Sequence, residues 1–161
     1  MSLPGERGDD TFADLSERER PDGTFAPRLN DAGLLPVFVT DVSTGEALMQ
    51  AWMDRTALER TLSTGEAHYY SRSRKRIWKK GEKSGHIQRV HDVRIDCDQD
   101  ALWLTVEQIG GAACHTGFRS CFYRSLQMSG SGEIGFAEVK DSRVFDPGDV
   151  YSEEQERGSG G

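Results

Sequence analysis

Residues 34–53 read LLPVFVTDVSTGEALMQAWM, two apolar runs separated by the turn-forming set Ser43, Thr44 and Gly45. The first run, rich in β-branched residues, predicts a strand, and EALMQAWM its return, so the core opens with a β-hairpin. Asp54 follows directly and can cap a helix in which Leu58 and Leu62 fall one turn apart, with Gly65 where a left-handed terminating residue belongs. Beyond it the apolar pattern has period two. EAHYYSRS, HIQRVHDVRIDCD, ALWLTVEQ and SCFYRSL all predict strands, joined by glycine-containing loops. The expected fold is α+β, predominantly β: a compact mixed or antiparallel sheet, or a partial barrel, with one short helix after the first hairpin.

Outside this pattern the chain changes character. Residues 1–30 are dense in Asp, Glu, Arg, Pro and Gly, with too little apolar surface to fold alone, and predict a polar, mostly flexible or loosely docked N-terminal arm. Residues 31–128 hold all three Trp, all three Cys and all four His, and form the expected core domain, in which the residue types of catalytic and metal-binding sites are concentrated. Residues 129–161 predict a peripheral extension with a flexible Gly/Ser end and one strand-like run near Phe136. A length of 161 residues suits one domain with a real core. No apolar run approaches the roughly 18 residues of a membrane span, and MSLPGERGDD lacks the layout of a secretory signal. The expected location is the cytoplasm, with no membrane partner. There, three cysteines suit thiol or metal chemistry better than a disulfide framework.

Net charge is −7, yet residues 72–94 carry nine Lys/Arg against Glu82 and Asp92, a local +7 that leaves −14 for the remainder. An acidic body argues against non-specific duplex binding, whereas one basic stretch suits a small phosphorylated ligand or a short nucleic-acid contact. That stretch, SRSRKRIWKKGEKSG, interleaves Arg72, Arg74, Lys80 and Trp78 with Ser71, Ser73, Ser84, Gly81 and Gly85. Arginine forks and backbone N–H groups near glycine hold phosphate, and an indole can stack on a purine. The alternative is a solvated loop or a strand edge defended by lysine.

RIDCDQD sets Asp96, Asp98 and Asp100 at alternate positions, so an extended backbone projects three carboxylates to one face and Cys97 to the other. A hard cation such as Mg²⁺ relieves their repulsion; the alternative is a solvated strand end. Asp96, Asp98, Asp100 and Glu107 also fit part of a calcium loop, but Ala101 stands where the sharp turn demands glycine, and the downstream ALWLTV is strand-like. The calcium reading fails. Cys97, Cys114 and Cys121, at spacings of 17 and 7, match no compact zinc ribbon. Three thiolates would leave a fourth zinc position for water, as catalytic sites do, although three buried cysteines can equally act as small hydrophobes. His115, beside Cys114 in GGAACHTGFRSC, is the acid–base candidate. His68, His86 and His91 have no evident partners and read as structural.

SRSR, IWKKGEKSG, RIDCDQD and ACHTGFRSCFYR, in this order and at these distances, resemble the phosphoribosyl-AMP cyclohydrolase family of histidine biosynthesis. The resemblance covers about residues 34–125 and leaves both ends unexplained; Phe118, where a basic residue is expected, and Lys83, where Thr is common, depart from the pattern. It implies a homodimeric hydrolase that adds water at C6 of the adenine ring of phosphoribosyl-AMP and breaks the N1–C6 bond, giving the phosphoribosyl-formimino imidazole carboxamide ribotide. It further implies Mg²⁺ on Asp96, Asp98 and Asp100, and Zn²⁺ on Cys97, Cys114 and Cys121, the cysteines coming from both chains of the dimer. In that picture zinc lowers the pKa of a water that attacks C6, and His115 moves its proton. Mg²⁺ and the stretch containing Ser71, Arg72, Ser73, Arg74, Trp78, Lys80, Gly81, Glu82, Ser84 and Gly85 hold the sugar phosphates. The competing reading is a zinc-stabilised module binding single-stranded nucleic acid, and a third is a deaminase of free purines, which would release ammonia.

Overall fold

A computed structural model describes residues 23–137, 139 and 142–151. Strands β1 (Leu35–Asp41) and β2 (Ala47–Met53) pair antiparallel as the sequence requires, Val37 opposite Ala51, and the turn between them is closed by Asp41. Its carboxylate accepts from the N–H groups of Ser43 and Thr44, which lets a tight turn follow a buried strand end. Asp54 then caps α1 (Arg55–Thr64) by accepting from the Ala57 N–H at 2.7 Å, and Gly65, in the left-handed region, ends it. Leu58 is buried, but Leu62 is 62% exposed. The place one turn on is taken by Thr61, whose hydroxyl donates to the Ala57 carbonyl and accepts the His68 N–H, tying the helix to the next strand.

β3 (His68–Ser71) and β4 (Arg76–Lys79) form a short ribbon; β5 (Gln88–Ile95) and β6 (Leu102–Gln108) follow. The main sheet has the order β2-β1-β6-β5, with β1 and β6 parallel and the other pairs antiparallel. The chain is therefore mostly strand with little helix, and its sheet is mixed. It does not close into a barrel. The β5 backbone pairs with the segment leading into the ribbon through the single bridge of Glu66 with Arg89 and bonds such as Ala67 N–H to the Gln88 carbonyl, too few for a continuous ladder.

Leu35, Val37, Val39, Leu48, Met53, Leu58, Tyr69, Leu104 and Val106 fill the space between sheet, helix and ribbon. Within it lies a polar chain. Tyr69 donates to Gln88 Oε1 at 2.5 Å, Gln88 donates to Gln108 Oε1 at 2.8 Å, and Gln108 donates to the His86 carbonyl at 3.0 Å. Every buried member has a partner, as burial demands.

SCFYRSL departs from expectation: only Leu126 enters a strand, β7 (Leu126–Met128), paired with β8 (Ile134–Phe136). Upstream, Ser120 and Cys121 direct their donors to the β2 backbone, Oγ to the Ala47 carbonyl and N–H to the Leu48 carbonyl, leaving no ladder to form. A short α2 (Pro147–Tyr151) follows. Of the expected N-terminal arm, residues 1–22 lie outside the described residues; residues 24–28 are held to Gln99 by three hydrogen bonds. The chain from 152 onward also lies outside them. Among the described residues no helix is long and apolar enough to cross a membrane.

Asp54→Ala should cost about 1 kcal/mol in urea-unfolding free energy through loss of the helix cap. Leu58→Ala should cost about 2–5 kcal/mol, whereas Leu62→Ala should stay within about 0.5 kcal/mol. Equal losses at Leu58 and Leu62 would contradict the packing described.

Candidate active site

The β3–β4 ribbon, the loop after it and one face of the 110–121 loop enclose a cavity of about 330 Å³. Ser71, Ser73 and Arg74 enter it from the turn between β3 and β4. Trp78, Lys80, Gly81, Glu82 and Ser84 line it too, and His115 reaches it from the distant loop. The basic stretch thus forms a concave wall because a four-residue ribbon folds it back on itself, with Lys75 at φ 52° and Gly81 at φ 79° marking its two bends. Two of the expected residues stand elsewhere. Arg72 stacks over Trp52 at 4.9 Å from the ring centroid, and Gly85 does not line the cavity. Lys79 and Lys83 line it as well; the sequence marks Lys83 only as a departure from the family pattern and Lys79 only by its place in the run of cations.

Lys80 joins this cavity to the thiols. Its ammonium donates to the Ala113 carbonyl at 2.5 Å. Burial pulls its pKa below the usual lysine range, against the opposing pull of the Cys121 and Cys114 sulfurs. Cys114 is near enough to Cys121 for its charge to act on that thiol. Burial, then the neighbouring Cys114, push the Cys121 thiol up to about 12, only partly offset by Lys80. A soft cation bound in place of those protons would remove that penalty, so the pair fits zinc. Cys114 Sγ also lies 2.8 Å from Thr116 Oγ1. Cys97 is exposed and does not share this group; among the described residues, the one set of three or more His, Cys, Asp or Glu ligand atoms gathered together is Asp96, Asp98 and Asp100.

The three carboxylates meet for a different reason from the one their spacing suggested. β5 ends at Ile95, and residues 97–100 turn instead of continuing extended. Asp96 drives the turn: its carboxylate accepts from the N–H groups of Asp100 and Ala101 at 2.9 and 3.1 Å, and Gln99 takes φ 61°. The ligand oxygens end within 4.8 Å of one another. Burial, then the hydrogen bond and charge of Asp96 and the charge of Asp98, push Asp100 up to about 6. Burial opposes but does not outweigh the backbone donors that hold Asp96 below the ordinary carboxylate range. Oxygen-only donors under mutual repulsion suit a hard divalent ion such as Mg²⁺.

The loop carrying Cys114 and His115 is pinned to the first hairpin by Arg119, which pairs with Asp41 at 3.2 Å and Glu46 at 2.5 Å. His86, which the sequence left as structural, stands near enough to Lys80 that burial and that charge both lower its pKa.

A cationic cavity of small-molecule size, with a histidine in its lining and joined through Lys80 to a thiol pair, is the kind of site that holds a phosphorylated small molecule. The sequence model of the phosphoribosyl-AMP cyclohydrolase family matches residues 49–123. Proteins named phosphoribosyl-AMP cyclohydrolase from Rhodopseudomonas palustris, Nitrobacter hamburgensis and Rhizobium leguminosarum bv. trifolii are 57%, 56% and 55% identical to it. Those alignments span 78%, 79% and 80% of this chain and 83%, 86% and 86% of the relatives. The chain belongs to the phosphoribosyl-AMP cyclohydrolase family, and its enzyme class is hydrolase.

Asp100→Asn should raise the melting temperature of the metal-free protein at pH 7, because a carboxyl whose folded pKa is raised destabilises the fold once it ionises. The gain should shrink as the pH falls through about 6 and be small by pH 3.5, below the ordinary carboxyl pKa. Differential scanning fluorimetry across pH 3.5–8 checks both; a variant less stable at pH 7 would show that repulsion does not govern the turn.

Proposed function

We propose that this chain hydrolyses the adenine ring of phosphoribosyl-AMP at the N1–C6 bond, with Zn²⁺ at the cysteines, Mg²⁺ at the aspartates and the active unit a homodimer. Support comes above all from one juxtaposition: His115, 36 residues beyond the end of β4, opens into the same cavity as Arg74, Lys80 and Trp78. A phosphorylated purine needs those groups together.

Arg74, with the Ser71 and Ser73 hydroxyls, would hold a sugar phosphate at one end of the cavity, and the donors near Gly81 and Ser84 the other. The Trp78 ring, tilted against Tyr69 at 5.4 Å, offers a face for the purine. Water oxygen bonds to C6, the C6–N1 bond breaks, and the two water protons end on the exocyclic nitrogen and on N1. His115 takes the first proton and returns it to the departing nitrogen. Lys80 keeps a positive charge beside the Cys114 and Cys121 sulfurs. When bound, zinc would supply Lewis-acid activation of the attacking water, and Mg²⁺ would counter phosphate charge. The residues that would hold zinc are Cys114 and Cys121 of one chain and the exposed Cys97 of the other, since Cys97 does not join the pair within one chain. A fixed two-fold arrangement makes that site twice.

Following the ultraviolet spectrum during incubation with phosphoribosyl-AMP, Zn²⁺ and Mg²⁺ should show the purine converting to an imidazole carboxamide; no change would refute the reading. His115→Ala should lower kcat by about 10²-fold or more with KM little altered. Cys97→Ala and Cys114→Ala homodimers should each be inactive, and co-refolding the two should restore roughly a quarter of wild-type activity, because random pairing leaves about half the dimers with one intact site. A mixture as inactive as its parents, with heterodimers verified, would place all three thiols of each site on a single chain.

A further inference from the structure

The Cys114–His115 loop is bracketed by two glycines, Gly110 and Gly117, both at positive φ, 79° and 92°. Each is closed from outside the loop. A Cβ on Gly110 would sit 2.3 Å from the His86 ring, and one on Gly117 would sit 2.1 Å from the Phe145 carbonyl oxygen. Neither approach is open to any other residue. His86 and Phe145 also meet each other edge to face, ring centroids 4.9 Å apart and planes at 68°. One end of the loop thus abuts the His86 ring, which the Phe145 ring meets edge to face, and the other abuts the backbone carbonyl of Phe145.

Further contacts come from the same segment. The Val144 N–H donates to the Gly117 carbonyl at 2.6 Å, Val144 packs against Gly111, and the Arg143 guanidinium lies 5.5 Å over the Phe118 ring. Inside the loop, Gly117 N–H donates to the Cys114 carbonyl and Cys114 N–H to that of Phe118, so a force on Gly117 is delivered directly to Cys114. At the other end, His86 abuts Gly110 and feels the charge of Lys80, whose ammonium holds the Ala113 carbonyl. Residues 143–145 lie well outside the stretch that the family's sequence model matches. They nevertheless touch the loop at four points.

We propose that residues 143–145 are a strap fixing the Cys114–His115 loop through their backbone at Gly117, and that the Phe145 ring, acting through His86 at Gly110, makes Phe145 a positioning residue for the hydrolysis. This rests on the reading of His115 and Cys114 given above. Edge-to-face contact adds about 0.5–1.5 kcal/mol beyond burial, enough to bias a short loop but not to hold the fold. Removing it therefore loosens the catalytic loop while the sheet and substrate wall stay in place. Displacement of a reacting group by about 1 Å can cost as much as 10²-fold in rate.

The test compares full-length, metal-loaded wild type with Phe145→Ala and Phe145→Tyr, the latter keeping the ring. Phe145→Ala should lower kcat by about tenfold or more while KM for phosphoribosyl-AMP stays within about twofold. It should also release zinc faster to a chromophoric chelator, a readout independent of turnover. Phe145→Tyr should keep both kcat and zinc release near wild type. Arg143→Ala, which removes only the Phe118 stacking, should give an intermediate loss. Wild-type kcat and zinc release in Phe145→Ala would overturn the strap. So would a parallel fall in kcat, substrate affinity and melting temperature that Phe145→Tyr does not rescue, since that marks a general packing role. An inactive wild type would instead refute the functional reading, and the zinc-release comparison would still decide on the strap.

Discussion

The buried chain from Tyr69 through Gln88 and Gln108 to the His86 carbonyl is the constraint on which the site depends. Tyr69 belongs to the ribbon, Gln88 and Gln108 to the main sheet, and His86 to the loop that closes the cavity. Two β units that share almost no ladder are thereby set at one distance. An apolar interface would allow the ribbon to slide, because hydrophobic contact is not directional. A buried amide that loses its partner is costly, so the three side chains admit one register. The cavity wall, carried on the ribbon, is placed relative to the loop by that register.

Around this frame, charge is distributed with economy of contact. The acidic turn at Asp96–Asp100 and the thiol pair lie at separate places in one chain. Arg119 links the thiol loop to the first hairpin through Asp41 and Glu46, while Lys80 links it to the cavity. Gln99 does the same service for the acidic turn. Its side-chain carbonyl accepts from Ala26, its amide donates to Thr24, and its backbone carbonyl accepts from Arg28. Segments at both ends of the chain, read from composition as peripheral, thus lie against the two loops with candidate metal ligands.

One apolar surface stands apart. In the β7–β8 hairpin Leu126 pairs with Phe136 and Met128 with Ile134, so all four side chains share one face, and all four are exposed. A two-stranded ribbon is marginal on its own. It begins five residues after Cys121 in the chain.

The sequence by itself determined what depends on near neighbours. The first hairpin, the Asp54 cap and the Gly65 stop follow from local propensity and from hydrogen bonds spanning a few residues, and the basic stretch and ligand-type residues were legible by their chemistry. Family membership was legible in the order and spacing of four motifs. Local pattern failed where long-range partners competed for the same groups. SCFYRSL has a strand's alternation, yet Ser120 and Cys121 give their donors to β2; Leu62 has a helix's spacing, yet Thr61 takes the inward place to bond His68. RIDCDQD alternates, but the Asp96 carboxylate captures two N–H groups and turns the chain. Only the tertiary structure decided that β1 and β6 run parallel, that His115 meets Arg74 across a cavity, and that Phe145 reaches His86. Those contacts join residues far apart in the chain, and the free energy that selects them comes from burial and buried hydrogen bonds, which no local pattern encodes.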